Sequence, residues 1–461
     1  MNNETPPVRP SKSSHEREPR TRQTAVPADG LAARHLAATA LFAVLDQRRS
    51  FDDAFQRAAD TAKLAPRDRA FARAIATTVL RRRGEIKAVL SKFLEKPLPA
   101  KEGQLEAILL SAGAQLLFLK TPPHAAISLA VDQCRAGFST RRFDKLANAV
   151  LRRVSERGEE ILAGLDAPEL NIPTWLMARW RTAYGNDTAR LIAEASLQEP
   201  PLDLSVKTDP ELWAEKLGGM VLTTGSVRLT DAGRIEDIAG YEEGEWWVQD
   251  AAAALPARIL GVVKGLDIAD LCAAPGGKTA QLASAGANVV AVELSPARAA
   301  RLNSNLVRLK LPVETVINNV ITWAPGRLFD AVLLDAPCTA TGTIRRHPDI
   351  LYLKRAEDVA SLAQSQAKML DAAATLVKPG GRLLYCTCSL EDDEGAGQIA
   401  RFLASHSDFK RMPIDIVSAG GESGWLTVEG DLRTLPSYFG ALRPGQQGMD
   451  GFFVSLLARL L

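Results

Sequence analysis

From Leu31 to about Leu165 the apolar positions recur at i, i+3, i+4 and i+7, the spacing that lines one face of a helix. The stretches RHLAATALFAVLDQ, RDRAFARAIATTVLRRRGEIKAVLSKFL, QLEAILLSAGAQLLFL and RRFDKLANAVLRRV carry this pattern. Proline-bearing breaks at 64–66, 96–103 and 120–124 separate them, and no strand-like alternation intervenes. An all-α bundle is expected over 31–165. Residues 166–250 mix two periods. IPTWLMARWRTAYG and DTARLIAEASL read as helices, LDLSVKT and MVLTTGSVRLT as strands, and DPELWAEKLGG as a capped helix. They predict a small α/β module. From 251 to 461, the apolar runs GLDIADLC, NVVAVEL, VETVI, FDAVLLDA, GRLLYCTC and GFFVSLLARL read as strands. Between them, helices are expected to begin near Lys278, Pro296, Arg355 and Glu391. Strands alternating with helices build a parallel sheet covered on both faces, so the fold class is α/β, doubly wound, behind an all-α domain. Residues 1–30 show no period and mix proline, serine and both charges, which predicts a disordered tail.

Net charge is +2, but it is unevenly placed. Residues 31–165 hold 23 lysines and arginines against 14 acids, whereas 166–461 hold 28 against 36. The helical segment is therefore the candidate for facing a polyanion. No apolar run approaches the roughly 18 residues a membrane span needs, and the polar N-terminus is unlike a signal peptide. Five cysteines are too few and odd in number for a disulfide framework, and they point to a reducing, cytoplasmic setting.

Four stretches carry chemistry. In DIADLCAAPGGKTAQLA a strand ends and a Pro-Gly-Gly turn opens a helix at Lys278. Glycines let backbone N–H groups approach a ligand, at the strand edge where open α/β sheets bind. Glu293 closes the next strand about twenty residues on, where a carboxylate can accept both hydroxyls of a ribose. In FDAVLLDAPCTATGTIRRHPDI an apolar strand delivers Asp335 and Cys338 to the same edge, and Arg345, Arg346 and His347 follow, residue types suited to phosphate. In PGGRLLYCTCSLEDDE, Cys386 and Cys388 alternate by one and share a strand face. Cys386, deeper in the strand, suits packing, and Cys388, nearer the ligand edge, suits chemistry. Zinc needs pairs of the C-x₂₋₄-C type and a redox centre usually C-x-x-C, so no metal is expected and a nucleophilic thiolate remains.

Taken together, DLCAAPGGKT, DAPCTATGTIRRHPD and YCTCSLEDDE resemble the S-adenosylmethionine-dependent RNA cytosine-5 methyltransferases. NAVLRR, EGEWWVQDAAA and MDGFFVSLLARL are similar to the bacterial RsmB (Fmu/Sun) branch, which carries a NusB-like helical domain ahead of a class I methyltransferase domain. The resemblance implies a NusB-like RNA-binding domain over 31–165, the small module over 166–250 and the catalytic domain over 251–461. It implies Cys388 as the nucleophile at carbon 6 of cytosine, Cys338 as the second cysteine, which removes the carbon 5 proton and releases the adduct, and Asp335 as the group that polarises the base. S-adenosylmethionine is then held by Cys272, Ala273, Ala274, Pro275, Gly276, Gly277 and Lys278, with Glu293 on the ribose, Asn319 by the adenine and Asp335 as a further contact. Arg345 and Arg346 are expected to touch RNA, most directly small-subunit rRNA, and the protein to act as a monomer. Departures from the family pattern are Asn319 where an Asp is usual, Thr339 for Ser, and Gly395 where an Asn commonly follows the acids.

Three other readings stand beside this one. A DNA-type enzyme would attack through Cys338 instead, a relative in the same superfamily would act on tRNA, and a non-catalytic factor would bind RNA through the helical domain alone. Intact Lys278, Asp335, Cys338 and Cys388 weigh against the last.

Overall fold

The computed structural model describes residues 30–98, 103–230, 232–443 and 445–461 together with Met1. Apart from Met1 and Gly30, the tail expected over 1–30 lies outside the described residues. Six helices come first: α1 (Leu31–Leu45), α2 (Phe51–Ala62), α3 (Pro66–Ser91), α4 (Leu105–Leu117), α5 (Pro123–Ala136) and α6 (Asp144–Ala163). Pro66 and Pro123 open their helices, where the missing N–H has no intrahelical partner to lose. The apolar stripes converge on one core that includes Leu41, Ile75, Leu80, Leu109 and Leu151, all fully buried.

The stretch 166–250 is not one module. Its helices α7 (Ala167–Asn171), α8 (Thr174–Tyr184) and α9 (Asn186–Ser196) pack Leu176, Trp180 and Ile192 against Ile344, Leu351, Leu390 and Leu435, all from the C-terminal part of the chain. Periodicity showed an apolar face on each helix but not which distant partner covers it. Only the remainder forms a sheet, built from β1 (Leu202–Val206), β2 (Met220–Val221), β3 (Val227–Leu229) and β4 (Trp246–Val248), with α10 (Pro210–Leu217) between the first two. It is antiparallel, in the order β2-β3-β1-β4, around Leu204, Trp213, Val227 and Trp246.

Next, α11 (Ala251–Ile259) leads into the large sheet. Its first half holds β5 (Asp267–Leu271), α12 (Gly277–Ser284), β6 (Asn288–Glu293), α13 (Pro296–Arg308), β7 (Glu314–Ile317) and β8 (Phe329–Asp335). Its second half holds α14 (Ile350–Leu353), α15 (Ala356–Thr375), β9 (Val377–Thr387), α16 (Ala396–Ser405), β10 (Phe409–Arg411), β11 (Leu432–Thr434) and β12 (Phe452–Arg459). The order is β10-β12-β9-β8-β5-β6-β7, with β11 also on β12. The five strands from β5 to β9 pair in parallel, and β12 runs antiparallel to β9, β10 and β11. Strand order therefore reverses between β5 and β8, and their carboxyl ends open the crevice where such sheets bind ligands. Two details differ from expectation. The strand expected over GRLLYCTC begins earlier, at Val377, with Pro379–Gly381 as a bulge within β9, because the pairing jumps from Phe329 with Val377 to Ala331 with Arg382. The helix expected near Glu391 begins only at Ala396, after a short turn at Asp392–Glu394.

The helical domain is bolted to the segment that follows β8. Arg81 donates to the Arg345 carbonyl (3.0 Å), Arg48 to those of Tyr352 and Leu353 (3.1 and 2.7 Å), and the Tyr352 hydroxyl to that of Leu80 (2.8 Å). The small sheet is tied in through Arg228, which forks onto Asp203 at 2.6 Å through both Nε and Nη2 and donates to the Gln446 carbonyl (2.6 Å). Among the described residues, no helix is long and apolar enough to cross a membrane.

Candidate active site

The chain leaves β5 through a loop that only certain residues can make. Cys272 has φ +61° and Gly276 φ +104°, both left-handed. A Cβ at position 276 would also lie 2.5 Å from Leu302 Cδ1, so glycine is needed for conformation and for space. The helix α12 starts at once, with Lys278 in its first turn. Its Nζ stands 2.8 Å from Asp335 Oδ2 and 5.0 Å from the Phe452 ring centre. Burial opposes the ammonium charge, but Asp335 holds it above the ordinary lysine value. Beneath the loop, buried Asp270 accepts from the Thr279 hydroxyl (2.5 Å) through Oδ2, while Oδ1 has no hydrogen-bond partner. Burial pushes this carboxyl up to about 7, and the Cys272 thiol up to about 12.

Glu293 closes β6 and is buried. It accepts from Ser295 N (3.0 Å) and, at longer range, from Ala274 N (3.4 Å), which orients it over the loop. Arg298 also stands 3.5 Å from its Oε2, and with about four acceptor positions the carboxylate keeps capacity for a ligand. Asn319, just past β7, is half-buried, and its Oδ1 already accepts from Ile321 N (3.0 Å), leaving its amino group for a neighbour. A bare buried acceptor at Asp270, a glycine cradle at 276–277 and a carboxylate at the ribose distance along the sheet edge suit an adenosyl ligand bearing a cationic methionine end.

Strands β8 and β9 are hydrogen-bonded neighbours, and their ends bring the cysteines together. Cys338 Sγ and Cys388 Sγ lie 3.5 Å apart, both half-buried. Cys386 is fully buried and its thiol points to Asp335 Oδ1 at 3.5 Å, so it packs against the site from below. The Cys338 thiol is pushed well above its usual value, first by its hydrogen bond to Cys388, then by burial and by the nearby charge of Glu394. Within the pair, then, Cys338 is the sulfur that keeps its proton.

Arg345 and Arg346 do not occupy the surface expected of them. Arg345 is 2% exposed, and both guanidinium groups bind Asp250 and Asp450 at 2.6–3.2 Å. Arg345 is thereby neutralised inside the protein, while Arg346, with a fifth of its side chain exposed, spends its guanidinium on the same two acids. Burial opposes the Asp250 charge, but Arg346 and Arg345 hold it well below the carboxylate range; burial and Asp250 push Asp450 the other way, so Asp250 is the firm anion of the pair. A double arginine reads alike in sequence whether its acids lie in solution or 95 and 105 residues away. Sequence reasoning also passed over Glu394, which is fully buried behind both cysteines although its neighbours Asp392 and Asp393 are exposed. An acid in the fourth position of a run carries no sequence signal of burial.

Comparison with known proteins adds the following. The family model 16S rRNA methyltransferase RsmB/F matches residues 257–458, and the NusB family model matches 31–156. Ribosomal RNA small subunit methyltransferase B of Xanthomonas campestris is 36% identical over 94% of this chain and 98% of its own length. The protein of the same name from Vibrio cholerae is 32% identical over 92% and 97%. Among solved structures, PH0851 aligns with a TM-score of 0.70 at 24% identity, covering 94% of this chain and 99% of that one. NSun6 from Pyrococcus horikoshii with SFG aligns at 0.53 and 18% identity over 63% and 98%. At those identities the structural matches speak for the fold.

Proposed function

The chain belongs to the family of ribosomal RNA small subunit methyltransferase B, and from that premise we propose that it transfers a methyl group from S-adenosylmethionine to carbon 5 of a cytosine in small-subunit rRNA. S-adenosylmethionine, when bound, supplies an electrophilic methyl on a sulfonium sulfur. The loop 272–278 and Glu293 are the groups that would hold it, with Asn319 and Asp335 at its edges. The chemistry falls to this chain's own side chains.

Carbon 5 of cytosine is a weak nucleophile while the ring is intact. Cys388, as thiolate, adds to carbon 6; the electron pair moves toward N3, which Asp335 polarises and which takes a proton delivered by the Lys278–Asp335 pair. Carbon 5 is then enamine-like and accepts the methyl group. Once Cys388 is a thioether its charge no longer opposes ionisation of Cys338. The Cys338 thiolate takes the carbon 5 proton, the Cys388–carbon 6 bond breaks, and the N3 proton leaves, so that one methyl is gained and one proton lost overall. This is covalent catalysis that splits one hard step into easier ones. The observation that carries the reading is the 3.5 Å approach of two cysteines at the ends of adjacent parallel strands, beside an Asp335–Lys278 pair.

The cytosine must leave its stack to reach this crevice, so the basic helical domain is the proposed RNA grip. Five unpaired cysteines suit a cytoplasmic protein, here taken to act as a monomer. Incubation with substrate rRNA and S-adenosylmethionine tests the roles. Cys388→Ala should form no covalent RNA–protein species, whereas Cys338→Ala should accumulate one; the opposite pattern would transfer the nucleophile to Cys338. Bisulfite sequencing of 16S rRNA from a deletion strain should show the loss of one cytosine mark, and an unchanged profile would refute the target.

A further inference from the structure

Behind the two cysteines lies a carboxylate the mechanism above does not use. Glu394 is fully buried. Its Oε1 accepts from Thr339 N (3.0 Å) and Gln366 Nε2 (2.9 Å), and its Oε2 accepts from Ser389 Oγ (2.6 Å) and from the Thr339 hydroxyl. Thr339 follows Cys338, and Ser389 follows Cys388. One carboxylate thus grips the residue next to each catalytic sulfur, and the two hydroxyls also approach each other at 3.1 Å. The grip has a fixed base: the Glu394 carbonyl accepts from Tyr385 and Thr387 of β9 (2.9 and 3.3 Å). Gln366 of α15 steadies the other side by also donating to the Pro337 carbonyl (2.9 Å).

A buried anion with only neutral donors is expensive, and neutral packing would serve a mere core position better. The nearest cations are committed elsewhere, Arg433 to the Ser389 carbonyl and Arg179 to Glu391 and Asp393. We propose that Glu394 is a positioning residue that sets the register of the two cysteine loops, and with it the sulfur-to-sulfur approach on which methyl transfer depends. The inference rests on the methyltransferase reading given above. Glu394 also acts electrically. The titratable groups facing Cys338 are Cys388, Glu394 and Tyr385, and Glu391 is the further acid that feels Glu394. Tyr385 is held neutral by burial, so beside the hydrogen bond to Cys388 and burial, the Glu394 carboxylate helps keep Cys338 protonated at rest.

Full-length Glu394→Gln and Ser389→Ala, beside the wild type, test this. Three quantities are measured: S-adenosylmethionine affinity by calorimetry, single-turnover release of methylated RNA against pH, and adduct yield on RNA carrying 5-fluorocytidine, whose carbon 5 has no proton to remove. Glu394→Gln should bind S-adenosylmethionine as the wild type does and methylate roughly 10- to 100-fold more slowly. The inflection that is missing in Cys338→Ala should move to lower pH, because removing a negative charge eases ionisation of the thiol. Ser389→Ala removes one tether but keeps the charge, so it should slow the reaction without moving that inflection. Wild-type rate and pH profile in Glu394→Gln would overturn the inference, as would parallel loss of cofactor affinity, methylation and melting temperature. Should Glu394→Gln fail to fold, a wild-type rate in Ser389→Ala overturns it alone. A wild-type protein that forms no adduct would instead remove the functional reading beneath it.

Discussion

Asp270 stands one residue from the end of β5 with one carboxylate oxygen on Thr279 and the other bare. Its carboxyl titrates at about 7 in the folded protein against an ordinary value of 3.8. A raised acid works against stability in one direction only. Below the ordinary value both folded and unfolded chains are protonated; as pH climbs toward the folded value the unfolded chain ionises first, and stability drains away until both are charged. At about 1.4 kcal/mol per unit the loss is on the order of 4 kcal/mol. Asp270→Asn keeps an oxygen for Thr279 and cannot ionise. In ligand-free melting experiments its advantage over the wild type should grow by several degrees between about pH 5 and about pH 8; parallel curves would mean that this carboxyl is not the source. At the same scale the departure at Gly395 acquires a reason. A Cβ there would lie 2.8 Å from Arg433 Nη2 and 3.0 Å from Phe453, so the guanidinium that stacks on Phe453 occupies the space a side chain would need.

Where elements meet, the cluster of Arg345, Arg346, Asp250 and Asp450 pins three of them: the segment after β8, the start of α11 and the approach to β12. Asp250 also caps α11 by accepting from Ala252 N (2.8 Å) and bonds Asp450 N (2.9 Å). Removing one carboxylate leaves two buried guanidinium groups sharing the other. Asp450→Ala should therefore lower unfolding free energy by about 3–5 kcal/mol in urea titrations. Arg345→Gln should destabilise in the same way while leaving the salt dependence of RNA binding as in the wild type; a shallower slope would return Arg345 to the RNA surface. The three stretches that make this cluster are motifs in the sequence, but their mutual pairing is a product of the sheet that brings them together.

At the scale of the molecule, the helical domain and the catalytic domain share a tight seam. Asn171 of α7 accepts from Gly84 N (2.8 Å) and donates to Glu85 Oε2 (2.7 Å) of α3. A Cβ at position 84 would stand 1.9 Å from the Leu170 carbonyl oxygen, so only glycine allows this approach. Gly84→Ala should cost about 1–3 kcal/mol by overpacking. In calorimetry it should also split the unfolding into two transitions, while a single transition at the wild-type temperature would show that the seam yields freely. The same seam carries Arg345 and Tyr352, on the segment that follows Cys338, so the proposed RNA grip and the thiol site rest on one scaffold.

Periodicity was enough to declare a helical bundle followed by a doubly wound sheet, because helix and strand impose their repeat locally on the residues that form them. Short motifs brought Cys388, Cys338, Asp335, Lys278 and Glu293 together, because each lies at the end of a strand or in the loop or helix start that follows one, on the carboxyl edge of the sheet. Which charges are buried, and against what, was decided by folding. Arg345 and Arg346 turned inward, Glu394 passed behind the cysteines, and the helices at 167–196 left their sequence neighbours to cover Ile344 and Leu390. A charge's partner and its solvation depend on chain segments far away in sequence, and no local pattern encodes that distance.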